Sequence, residues 1–283
     1  DGHTAVGLGV AAWVAAHAEE LTGTVKLIFQ PAEEGVRGAA AMAARGIVDN
    51  VDWFAGAHIG CSAKLHEVGV SHHGYLATTK FDLDITGVPC AAGSPENGKS
   101  ALMCGAALCM SLGSLPGHSQ GITRVQIGKF VSGTGRNIVA EHTSMLLEVR
   151  GESTEINDYM AAGVERTVAG LCAAYGCTYS LRRVGEAVTY KGDEEAVELV
   201  KDAARAVPTV TSVVDMNAKV GSEDCTMLIR RVQAHGGKAV FFYFGCEHHG
   251  HHKPDFDIQD TASLQDGWGV FTGFLARTNG RKA

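Results

Sequence analysis

Three short apolar runs, each leading into a loop rich in carboxylates or imidazoles, set the limits on how this chain can fold. Residues 24–29 (TVKLIF), 53–59 (WFAGAHI) and 239–244 (AVFFYF) lack the strict alternation of a half-exposed strand. Runs of this kind are buried on both faces, which requires helices above and below the sheet they build. Helix-period segments lie around them, at residues 4–21, 37–45, 194–207, from Ser222 onward and at 261–277. Strand, loop and helix in this alternation read as an α/β fold, a mixed, mostly parallel sheet flanked by helices. Gly7-Leu8-Gly9 has the outline of a dinucleotide loop, but no strand precedes it in the sequence, so that reading is set aside.

The pattern changes near residue 79. Phe81, Leu83 and Ile85 alternate with Lys80, Asp82 and Asp84, which marks an antiparallel strand with one wet face. Further strands are expected at 123–131 and 143–149, with helices at 99–112 and 156–174. Two helices on a sheet of about four strands make an α+β sandwich. Residues 79–186 therefore read as an inserted lid and dimerisation domain, and 1–78 with 187–283 as the α/β catalytic domain that carries it. The strands at 79–86 and 123–131 leave an apolar edge, which a second copy of the chain is expected to cover.

The net charge of −7 and the lack of any Lys/Arg run argue against nucleic-acid or anionic-membrane partners. No apolar stretch approaches the roughly 18 residues of a membrane span. The 8 cysteines form no C-x-x-C pair. In a chain of this length, scattered cysteines read as reduced residues of a cytoplasmic protein.

Glu33-Glu34 follow the first apolar run, where open α/β sheets place their ligands. One carboxylate of such a pair can bind a metal while its neighbour acts as general base; the plainer alternative is a solvated loop carrying two charges. His58 closes the second run, where a lone histidine is either a ligand or a hydrogen-bonded core residue. After the third run comes His248-His249-Gly250-His251-His252, an unusual density of the commonest metal-ligating side chain. It can still be an exposed polar loop. Carboxylate and imidazole ligands together suit zinc, manganese or nickel better than calcium.

In combination these elements resemble a known family. Phe29-Gln30-Pro31-Ala32-Glu33-Glu34-Gly35, Gly56-Ala57-His58, Gly133-Thr134-Gly135-Arg136-Asn137, Gly221-Ser222-Glu223-Asp224 and His251-His252 occur in the order found in the dinuclear-metal amidohydrolases, which include aminoacylases, indole-acetyl-amino-acid hydrolases and glutamate carboxypeptidases. The resemblance implies hydrolysis of the amide bond of an N-acyl amino acid, an aroyl-glutamate such as p-aminobenzoyl-glutamate among the candidates. It implies Glu33 as general base and Glu34, His58 and His252 as metal ligands, with His251 as the substitute for His252. It implies Arg136 and Asn137 as the groups that hold the substrate carboxylate, and Glu223, Asp224 and His251 as support behind the ligands. The implied cofactor is a pair of divalent ions, zinc or manganese. The implied partners are a second copy of the chain through the lid and, alternatively, a paralogous second subunit.

Two departures from the family pattern stand out. The family's Asp-Gly-His-Thr ordinarily follows a Cys-Gly-His whose Cys and His bind metal, and this sequence opens at Asp1-Gly2-His3-Thr4. The chain thus reads as cut through a domain, and at most one ion per chain is expected. His3 matches the second histidine of that run, which is not usually a ligand. In the lid, the family's Thr-Gly-x-x-x-His-Ala-Gly stands as Thr86-Gly87-Val88-Pro89-Cys90-Ala91-Ala92-Gly93, with Ala91 in place of a carbonyl-polarising histidine. These departures leave a non-catalytic dimeric binding protein, or an inactive fragment, as the rival expectation.

Overall fold

The computed structural model describes residues 2–216, 221–251 and 253–280. In chain order the elements are α1 (Gly2–Ala16), a single 3-10 turn at Glu33–Gly35, α2 (Gly38–Ala44), β1 (Trp53–Ile59), β2 (Glu67–Val70), β3 (His73–Gly74), β4 (Ala77–Thr86), α3 (Ala101–Gly113), β5 (Thr123–Ser132), β6 (His142–Gly151), α4 (Thr154–Ala174), β7 (Thr178–Ala187), β8 (Tyr190–Lys191), α5 (Glu194–Arg205), β9 (Ser212–Asp215), α6 (Cys225–Ala234), β10 (Lys238–Phe244) and α7 (Ser263–Thr278).

The apolar β10 is one of the two inner strands of the first sheet, whose order is β1-β10-β2-β9. Its side chains serve the two faces by turns. Val240, Phe242 and Phe244 pack under α1, α5 and α7 with Val6, Val10, Val200, Val270 and Phe274. Phe241 and Tyr243 pack under α2 and α6 with Ala39, Leu228, Ile229 and Val232. This is the helix-covered α/β sheet expected from the apolar runs, with one correction.

The sheet is mixed and mostly parallel, as expected. β1 pairs with β10, and β2 with β9, in parallel, but β10 and β2 are antiparallel. Residues 60–66 are too few for a crossover, which takes about a dozen, so β2 must return against the direction of β1. Residues 24–29, expected as a strand, join none of the sheets. Apolar composition makes a strand only where the segment is hydrogen-bonded into a neighbouring ladder, and these residues enter none. Leu27 and Phe29 stay exposed.

The second sheet is antiparallel, order β5-β6-β4-β7. Phe81, Leu83 and Ile85 turn inward as the alternation requires, meeting Met145, Leu147 and Val149 under α3 and α4. Ser100 and Ser153 cap these two helices, accepting from the Met103 and Ile156 amides. β4 is flanked by β6 and β7, so residues 79–86 carry no open edge; the open edges belong to β5 and β7. The end of β7 braces the first sheet's loops. The Glu186 amide donates to the Val36 carbonyl at 2.8 Å, and a Cβ on Gly185 would stand 2.4 Å from the Gly35 carbonyl oxygen. No described helix is long and apolar enough to cross a membrane.

Candidate functional site

β1 and β10 run parallel with Ile59 opposite Phe244, so the loops after them leave one rim of the sheet, where α/β folds bind ligands. The first of these loops reverses at once: Gly60 and Cys61 are both left-handed, with φ of 72° and 58°. Glycine takes that conformation freely, whereas a cysteine there is held against its preference. The hold is visible. The Gly60 amide donates to the Phe244 carbonyl at 2.9 Å, and the Cys61 amide donates to His251 Nε2 at 3.0 Å. Cys61 Sγ lies 3.5 Å from His58 Nδ1, while that nitrogen faces the Ile59 carbonyl at 2.7 Å. Such an outer hydrogen bond fixes the tautomer and orientation of a ligating imidazole. One donor atom each from His58, Cys61 and His251 lies within 4.8 Å of the other two.

His251, expected as support or as a substitute ligand, therefore stands with His58. His252 lies outside the described residues. His248 packs on the His251 ring at 4.4 Å, and the exposed His249 instead pairs with Asp255 at 3.7 Å. His3 accepts the Ile59 amide at Nε2 over 2.8 Å and meets the His58 ring edge-on at 4.6 Å. Although part of His3 reaches solvent, desolvation of its ring, then the neighbouring His58, lowers its pKa to about 4. A neutral acceptor tied to the end of β1 suits a positioning role better than a ligand. Cys61 was not legible as a site residue; its one signal is the H-x-x-C spacing after a buried strand. Burial first, then Glu223, pushes its thiol up to about 11.

The Glu33–Gly35 turn is bounded by Ala32 at φ 58° and Val36 at φ 48°. A β-branched residue there is strained, at a cost of about 1–3 kcal/mol, and persists only where the surroundings impose it. They do so here. Gly38 approaches Pro31 so closely that a Cβ would lie 1.7 Å from its carbonyl oxygen. Asp224, with no exposed surface, accepts from the Ala39 amide at 3.1 Å and from the Gln30 side chain. Glu33, Glu223 and Asp224 bring carboxylate oxygens within 4.8 Å of one another. Glu223 accepts the Cys225 amide at 3.0 Å; burial, then the Glu33 charge, raises its pKa to about 8. Asp224 is raised as well, by burial. Glu34 is exposed, and its carbonyl accepts from Lys80 Nζ at 3.1 Å.

Glu33, Glu34, His58 and Glu223 line one cavity of about 770 Å³, which His3, Phe29 and Phe241 also line. The residues after 24–29 thus reach the site as a loop rather than from a strand end. Arg136 and Asn137 do not join them. They sit on an exposed turn after β5, where the Ala92 amide donates to the Asn137 carbonyl at 3.0 Å and Ala91 bridges to Ile138. Imidazoles and a thiol at the rim, with carboxylates across the cavity, make a donor set suited to a borderline divalent ion such as zinc. The side chains present therefore fit the metal that the resemblance implies.

The chain is 40% identical over 279 residues to a homolog of one p-aminobenzoyl-glutamate hydrolase subunit, from Haemophilus influenzae, covering 98% of this chain and 66% of that protein. It is 41% identical over 263 residues to indole-3-acetyl-aspartic acid hydrolase of Enterobacter agglomerans, covering 92% and 60%. Among solved structures, an aminobenzoyl-glutamate utilization protein from Klebsiella pneumoniae superposes with a TM-score of 0.90 at 38% identity, covering 98% of this chain and 67% of that one. The chain thus spans between 60% and 66% of the length of these two curated relatives. The sequence profile of peptidase family M20/M25/M40 matches residues 1–277, and this chain belongs to that family.

Proposed function

We propose that the protein is a metal-dependent amidohydrolase that cleaves the amide bond of an N-acyl amino acid, with aroyl-glutamates such as p-aminobenzoyl-glutamate as the preferred class. The observation that carries this reading is the convergence of Glu33, Glu34 and His58 on one cavity at the sheet rim. Glu34 and His58, with His252 or His251, would hold the ion, zinc or manganese; these ligands suffice for one. A bound divalent cation supplies Lewis acidity and a nucleophilic water near neutral pH. Glu33, half-buried at the cavity wall, takes the proton from the attacking water and returns it to the leaving nitrogen. Glu223, raised to about 8, stays protonated beside Glu33 and spares it a second negative charge. Asp224 holds the loop on which Glu33 sits.

In this reading residues 79–186 are the lid and dimerisation domain, and 1–78 with 187–283 the catalytic domain. Arg136 and Asn137 take the substrate's carboxylate once the lid, or that of a second copy, meets the rim; a planar guanidinium suits that bidentate task. The open β5 edge and the exposed Met103, Met110, Phe130 and Val131 support a homodimer; the alternative partner is a paralogous second subunit. Eight free cysteines support a reducing, cytoplasmic location.

The rival reading, a binding protein that has lost hydrolysis, rests on Ala91 standing where the family carries a histidine. Turnover of p-aminobenzoyl-glutamate, indole-acetyl-aspartate and acetyl-methionine, with added Zn²⁺ or Mn²⁺, separates the two. The expected result is fastest cleavage of the aroyl-glutamate and a loss of about 10²–10⁴ in Glu33→Gln at unchanged metal content. Binding of p-aminobenzoyl-glutamate without cleavage of any substrate overturns the enzyme reading, and faster cleavage of either other compound overturns the substrate class.

A further inference from the structure

We propose that Cys61 is a metal ligand, completing with His58 and His251 a thiolate and two-imidazole site that joins the loops after β1 and β10. The inference rests on the metal-dependent reading above and adds a ligand type to it.

Three independent features point to Cys61. Its backbone is left-handed, φ 58°, and this turn brings the side chain back along β1 so that Sγ lies 3.5 Å from the His58 ring. The turn is tied across to the second loop, since the Cys61 amide donates to His251 Nε2 at 3.0 Å. The His251 ring is thereby already held against the Cys61 turn. His58 is oriented by the Ile59 carbonyl at 2.7 Å, the kind of outer contact that holds a ligating histidine in place.

The spacing is right for a cation. Zinc bonds of about 2.3 Å to sulfur and 2.0–2.1 Å to nitrogen put tetrahedral ligand atoms roughly 3.5 Å apart. The donors here span at most 4.8 Å, so the site closes with side-chain shifts of roughly 1 Å. A thiolate among the donors favours zinc and cobalt over manganese, which prefers oxygen donors. The nearby Cys246 is buried behind Gly60 and is not among the clustered donors, so it serves as the control thiol.

The test uses the 283-residue chain, reduced, stripped with chelator and titrated with Co²⁺. The expected result is one cobalt per chain after gel filtration, with a sulfur-to-cobalt charge-transfer band in the near ultraviolet. Cys61→Ser is expected to abolish the band and weaken binding by more than the roughly 10–100-fold that loss of an outer partner costs. Cys246→Ser is expected to keep both. Thermal melts of the metal-free variants show whether each is folded, and Cys61→Ala repeats the test if the serine variant is not. Cobalt bound without a thiolate band, or a band surviving in Cys61→Ser, overturns the assignment of Cys61 while the metal-dependent reading stands. Failure of the wild-type chain to bind cobalt, zinc or manganese overturns both.

Discussion

Asp224 reaches back 194 positions in the chain to Gln30, accepting a hydrogen bond from its side-chain amide at one carboxylate oxygen while the Ala39 amide donates to the other. This clamp closes the strained loop that presents Glu33 and Glu34, from a residue with no solvent exposure. Asp224→Ala is expected to destabilise the fold by about 1–3 kcal/mol, because it strands the buried Ala39 amide and frees the half-buried Gln30 side chain. Urea denaturation measures it, and Asp224→Asn should cost less. A loss below about 0.5 kcal/mol, the size of an ordinary surface substitution, would mean that the loop is held by Gly38 packing alone.

Glu223 ties stability to pH. Its folded-state pKa, about 8, lies above its ordinary 4.5, so the folded protein binds this proton more tightly than the unfolded chain does. Its contribution is complete below about 4.5 and drains away as pH rises towards about 8, by at most roughly 4–5 kcal/mol. In chelator-treated protein, Glu223→Gln should flatten the fall in stability between about pH 5 and 8. A pH profile parallel to that of the wild type would show that Glu223 is ionised throughout.

The second sheet has two open edges of unlike character. β7 carries Arg182 and Arg183, paired with Asp82 and Glu165, and charges of this kind block strand addition. β5 presents Phe130 at 38% and Val131 at 54% exposure. A dimer formed through β5 should therefore dissociate in Val131→Lys, with the monomer's stability changed by no more than about 0.5 kcal/mol. Sedimentation at micromolar concentration checks this; a monomeric wild type, or a dimeric variant, refutes it.

Ala91 lies on the loop that pairs with Ile138, next to Arg136 and Asn137. Restoring a carbonyl-polarising imidazole there, as Ala91→His, is expected to raise kcat by up to about 10²–10³ with little change in KM. Equal rates in the two proteins would mean that another group already supplies the donor.

The sequence alone was sufficient for the elements whose burial repeats with a short period. β1 and β10 follow from uninterrupted apolar runs, and β4 from the alternation of Phe81, Leu83 and Ile85, because side-chain direction along a strand is a local property. The residue types of the site were legible too, in Glu33-Glu34, His58 and the histidine-rich loop. Residues 24–29 show where local pattern stops: their composition is that of a strand, but strand formation depends on a neighbouring ladder. The antiparallel β2 was decided by a loop too short for a crossover. Cys61 and His251 are 190 positions apart, and so are not linked by any periodicity. What joins them is the parallel register of β1 with β10, which exists only once the sheet has assembled, and the same assembly left Arg136 and Asn137 outside the cavity.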